Sequence, residues 1–137
     1  MKKNILLLSF LAYIAFFQNA DSGEFTGAGI KLRQILESSS LHYDDLVEQG
    51  YDFLIKKEYE NNDSLDLSKI RWFVLNNNLI SINDVLSFKF SNGSILNMRH
   101  EGHELSTAYF SELSSLILQN KKIPYNQIKV LVVKWSL

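Results

Sequence analysis

Apolar residues fall at every second position in Leu86, Phe88 and Phe90, with Ser87, Lys89 and Ser91 between them. Alternation at period two sends neighbouring side chains to opposite faces of an extended chain, so this run constrains the fold to contain a half-buried strand. Asn92-Gly93 follows at once, two residue types that tolerate the positive φ of a tight hairpin turn. A second extended run, Ile95 to Arg99, returns Leu96 and Met98 toward the apolar side of that hairpin. After Gly102 the spacing changes to three and four. Leu105, Ala108, Tyr109, Leu113, Leu116 and Ile117 then form one stripe on a helical reading, with Ser115 among the residues turned to water. A greasy hairpin followed by a helix with a matching stripe is a two-layer α+β core in outline.

The remaining chain supplies layers for this core. Leu41 to about Tyr59 reads as a helix through Tyr43, Leu46, Val47, Tyr51 and Leu54, acidic at its start and carrying Lys56-Lys57 at its end, as the helix dipole favours. Gly50 lies in its middle and marks either a close contact or a break. Ile30 to Leu36 permits a shorter helix that ends at Ser38-Ser39-Ser40. Lys69 to Leu75 is rich in strand formers, and both of its parities are apolar, which suits a strand covered on both sides. Leu79, Ile80 and Ile82 form a brief extended segment between the asparagines 76–78 and Asn83-Asp84. Ile128 to Trp135 is apolar on both parities, so it is expected inside the sheet; a bare edge there would invite strand addition by another chain. The expected architecture is an α+β fold, an antiparallel sheet of about four or five strands packed against two or three helices in two layers.

Lys2 and Lys3 precede Ile5 to Phe17, an apolar run interrupted only by Ser9, and Ala20 and Ser22 stand in the small-residue relation that a signal peptidase accepts. The run is short for a bilayer span, which needs about twenty apolar residues. Residues 1–22 are therefore read as a signal peptide and 23–137 as a single α+β domain of 115 residues. Cleavage removes Lys2, Lys3 and Asp21 and leaves 12 basic and 14 acidic residues, a net charge near −2 that offers no long-range attraction for nucleic acid. With no cysteine there is no disulfide and no lipid anchor on an N-terminal cysteine, so packing must carry the stability. A periplasmic or secreted location, without stable membrane insertion after the leader is removed, is the expectation.

The densest set of chemically able residues is Arg99 to Glu104. His100, His103 and Glu104 could together ligate a zinc-like ion, although the second histidine comes one position too early for the His-Glu-x-x-His arrangement. The same residues also suit a solvated connection between elements. No Gly-x-Ser-x-Gly elbow is present, and Gly23, Gly27 and Gly29 lack phosphate-loop spacing. No cofactor and no catalytic residue is assigned. Among the aromatics, Trp72 and Tyr109 are the candidate partner-binding residues, because such side chains carry much of the affinity at protein interfaces. Export, small size and a missing catalytic signature together point to a small exported protein that binds another protein, as an inhibitor or immunity protein does. The alternatives are a small metal-dependent hydrolase and a structural subunit of an envelope assembly.

Overall fold

The computed structural model describes residues 24–25 and 30–135, with the side chains of 31–99 and 105–135. The leader assigned to residues 1–22 lies outside the described residues. The chain divides into two compact units, one ending at Asp45 and the other starting at Leu46. In the first, β1 (Glu24–Phe25) pairs antiparallel with β2 (Ile30–Lys31), and α1 (Leu32–Glu37) follows directly. Leu32, Ile35 and Leu36 are the buried residues of α1. Ser40, at φ 62°, turns the chain toward α2 (Tyr43–Glu48), whose start is tied to α1 by Arg33. That guanidinium donates to both carboxylate oxygens of Asp44 at 3.3 Å and lies 4.7 Å from the centre of the Tyr43 ring.

The second unit holds β3 (Tyr51–Ile55), α3 (Lys56–Glu60), β4 (Ile70–Leu75), β5 (Asn78–Ser81), β6 (Val85–Phe90), β7 (Ile95–Asn97), α4 (Met98–Glu101), β8 (Leu113–Leu118), β9 (Lys121–Pro124) and β10 (Ile128–Lys134). These strands form two antiparallel four-stranded sheets in the orders β3-β10-β4-β5 and β7-β6-β8-β9. The expected α+β class is what the chain adopts, with the strands divided between two sheets. Phe73, Leu131 and Leu54 of the first sheet and Phe88, Leu116 and Leu96 of the second belong to one shared core. No helix among the described residues is long and apolar enough to cross a membrane.

The two sheets are copies of one design at a spacing of 43 residues. A short 3-10 turn (Leu67–Lys69), β4, β5, a second 3-10 turn (Ile82–Asp84) and β6 recur as Phe110–Glu112, β8, β9, Tyr125–Gln127 and β10. The register recurs as well: Leu131 sits opposite Phe73 in one sheet and Phe88 opposite Leu116 in the other, and the bulges at Ile128/Val130 and Val132/Val133 repeat at Val85/Ser87 and Lys89/Phe90. Each hairpin turns on two residues, the first at positive φ: Asn76 at 57° and Gln119 at 54°. Asparagine visits that region readily, glutamine much less so. At the centre of the relation Leu67 N donates to Ala108 O at 2.8 Å and Phe110 N donates to Leu65 O at 2.9 Å, reciprocal bonds around the bridge between Asp66 and Tyr109. β6 and β10 exchange places, so each sheet receives its second strand from the other half.

Three expectations are corrected here. The stripe from Leu105 to Ile117 is no helix: the backbone makes a 3-10 segment (Gly102–Thr107), and Leu113 to Leu118 is β8, in the middle of its sheet. Leu113 is buried as expected, while Ser115, expected in water, is 2% exposed. A strand with a bulge mimics three-and-four spacing, because the extra residue shifts the parity of apolar positions by one. The helix expected over 41–59 breaks at Gly50, φ 94°, and the chain turns there into β3. Finally, β10 lies between β3 and β4, so the bare-edge alternative for the last strand does not hold.

Candidate functional site

The repeat separates what the fold requires from what is particular to one half. Facing outward on the first sheet stand the rows Phe53–Val132–Trp72 and Ile55–Val130–Val74; the equivalent rows of the second are Ile95–Lys89–Ser115 and Asn97–Ser87–Ile117. The first set is apolar and its valines are fully buried, whereas Ile95 is 60% exposed and Lys89 is in water. Burial on both faces explains the two apolar parities of β4 and β10, and the second sheet keeps the half-solvated face common in antiparallel sheets.

Trp72 lies in an aromatic group where β3 begins and β10 finishes. Its ring centre is 5.5 Å from that of Tyr51 at an interplanar angle of 40°, and the Lys134 ammonium stands 5.3 Å from the Tyr51 centre. Trp135, 39% exposed, donates its indole N–H to Asp52 Oδ2 at 3.3 Å. The second sheet has Ser115 where the first has Trp72, and Asn92 follows β6 where Trp135 follows β10. Tyr109, 38% exposed, belongs to the crossing between the halves, so the two aromatic residues proposed from the sequence sit in different parts of the fold. Tyr51, Lys134 and Trp135 were missed: Tyr51 was absorbed into the helix expected over 41–59, and Trp135 into a strand pattern that made it core.

A second feature is a cleft of about 720 Å³ between the β5–β6 connection and the β8–β9 hairpin. Leu75, Ile80, Leu118 and Ile123, two symmetry-related pairs, give it an apolar base; Leu86 adds an apolar wall, and Asn83, Asp84, Gln119, Asn120 and Lys121 complete the rim. The volume falls in the range of small-ligand and side-chain pockets. The pairs Leu75/Leu118 and Ile80/Ile123 follow the 43-residue repeat, but the rim residues come from segments more than thirty positions apart and only the fold brings them together.

Met98 to Glu101 form α4 and Gly102 starts the 3-10 segment, so His100, His103 and Glu104 straddle a junction between two helix types. Their side chains lie outside the described residues. Among the described residues no group of three histidine, aspartate or glutamate side chains comes together to hold a metal. Tyr59 lies in the core, where burial pushes its phenol far above the usual range, with the charge of Glu60 and then Tyr125 adding to the rise. Its hydroxyl donates to Ile128 O at 2.6 Å, and its ring meets Phe110 edge-on at 5.0 Å. These contacts make it a strut between α3 and β10. No family model matches this chain, and comparison with curated proteins and with solved structures returns no match.

Proposed function

We propose that this chain is exported to the periplasm or the medium and acts there by binding another protein, in the manner of an inhibitor or immunity protein. The observation that carries the reading is the aromatic group of Tyr51, Trp72 and Trp135 beside Lys134 and Asp52, present on one sheet of a duplicated domain and replaced by serine and asparagine at the Trp72 and Trp135 equivalents on the other. The fold does not require aromatic residues there, since the second sheet forms without them. Tryptophan and tyrosine next to a charged rim are the composition of an interface hot spot, where truncating one side chain costs about 2 kcal/mol or more of binding. The apolar leader at Ile5 to Phe17 supports the export half of the reading.

The test is affinity capture from the cells that make the protein and from their medium, with the purified wild type beside Trp135→Ala and Trp72→Ala. A partner retained by the wild type and weakened about thirty-fold or more by Trp135→Ala supports the reading. A partner held equally by all three variants removes the aromatic group from it, and failure of the wild type to retain any protein removes the reading itself.

A further inference from the structure

The two outer hairpin strands, β5 and β9, occupy equivalent places at the edges of their sheets and differ in how those edges are treated. In each hairpin the residues flanking the two-residue turn exchange backbone hydrogen bonds, so bonding alternates along the strand from that point. By the pairing of Leu75 with Asn78 and Phe73 with Ile80, the backbone N–H groups of Leu79 and Ser81 point away from β4, to the open edge. In β9 the same two positions are Lys122 and Pro124. Proline has no N–H to offer and lysine resists losing its water, so β9 is blunted in the way natural edge strands are. β5 has neither device: Leu79 and Ile80 are half-buried, and the strand contains no charge and no proline.

The cleft beside β5 is asymmetric in the same sense. Ile80 belongs to both strand and cleft. Leu86, 53% exposed on the cleft wall, corresponds to Lys129 in the other half, while the charged rim residues Asp84 and Lys121 correspond to the uncharged Gln127 and Asn78. Neither Asp84 nor Lys121 has an ion-pair partner among the described residues. Among the described residues, the β5 edge alone therefore combines an open ladder, an apolar pocket and one unpaired charge of each sign.

We propose that β5 and the adjoining cleft take up an extended segment of a partner protein by strand addition, one apolar side chain of that segment lying against Ile80 and Leu86, with a basic and an acidic residue answering Asp84 and Lys121. Main-chain bonds supply affinity in this mode and the pocket supplies selectivity. The inference rests on the reading that the chain works by binding protein.

The test uses the purified protein and a synthetic peptide, Thr-Lys-Thr-Val-Leu-Val-Thr-Glu-Thr, followed by amide NMR and hydrogen exchange. Its control is the same peptide with the central leucine replaced by proline. The variant is Leu79→Lys/Ser81→Pro, which writes the edge residues of β9 onto β5. Ser81 already has φ −74° and ψ 143°, close to the −62° and 142° of Pro124, so the backbone accepts proline there; the change gives up the bond that Ser81 Oγ accepts from Asn83 N at 3.1 Å, which the Pro124 turn forms without. Saturable shifts confined to residues 78–86 and 118–123, new protection of the Leu79 amide and at least tenfold weaker binding by the double variant are expected. Shifts elsewhere, equal binding by the proline control or by the variant, or no binding at all overturn the proposal. So does concentration-dependent dimerisation that the double variant abolishes, because the occupant is then a second copy. If affinity capture succeeds with the double variant as with the wild type, strand addition falls while protein binding stands; if the wild type captures nothing, the broader reading falls on its own.

Discussion

Tyr59 and Ser115 show how little a residue type says about its role before its surroundings are known. Both are buried polar side chains, but the Tyr59 hydroxyl has a carbonyl to bond and the Ser115 Oγ has no partner among the described residues. Replacing a bonded hydroxyl strands its acceptor; replacing an orphan strands nothing. Tyr59→Phe is expected to lower stability by about 1–2 kcal/mol at neutral pH, read from the denaturant midpoint. The raised phenol pKa also gives a signed pH dependence. The folded state holds Tyr59 neutral, whereas the unfolded chain ionises it near pH 10, so stability is unaffected below about pH 10 and falls above it. The phenylalanine variant should lose stability less steeply over that alkaline range. Ser115→Ala is expected to be neutral or stabilising by up to about 1 kcal/mol, measured the same way. A clear loss would show that the hydroxyl is bonded after all. The expectation that Ser115 is turned to water is overturned, and the small expected cost rests instead on its unpartnered hydroxyl.

At the scale of elements, runs with plain alternation were readable and runs with bulges were not. β6 follows from Leu86, Phe88 and Phe90, and Leu96 meets Phe88 across the hairpin as the spacing implied. β4, β5 and the interior place of β10 were equally legible, because two-sided apolarity has few other uses. β8 and β9 are not legible: one bulge gives Leu113, Leu116 and Ile117 a helical spacing, and β9 carries two lysines and a proline in place of an alternating pattern. The duplication itself was present in the letters. Ser68 and Ser111, Leu75 and Leu118, Asn77 and Asn120, Ile80 and Ile123, and Asn83 and Asn126 are identical pairs at 43 residues. A comparison of the chain with itself would have recovered the second hairpin from the first. The contrast between the two outer faces makes an element-scale prediction. Val130→Ser, which imports the residue of the equivalent place, should cost about 2–4 kcal/mol by losing apolar contact and burying a hydroxyl. The reverse, Ser87→Val, should stay within about 0.5 kcal/mol. Equal costs would mean the two faces are alike in solution.

For the molecule as a whole, the aromatic group and the charged cleft stayed hidden because each collects residues from both halves, and only the fold brings those together. The exchange of β6 and β10 makes the halves mutually dependent. Segments 46–93 and 94–135 made as separate chains should each lack a persistent fold by circular dichroism and recover native-like spectra on mixing, because neither owns all four strands of a sheet. A separate half that folds as a monomer would show the exchanged strand to be dispensable. The same arrangement bears on how the chain is made. β10, an inner strand of its sheet, is made well after β3 and β4, so until it arrives those two strands have a gap between them where native pairing belongs. Native structure in that sheet must wait until β10 has been made, and a truncation before Ile128 would leave two neighbouring strand edges open to any other nascent chain.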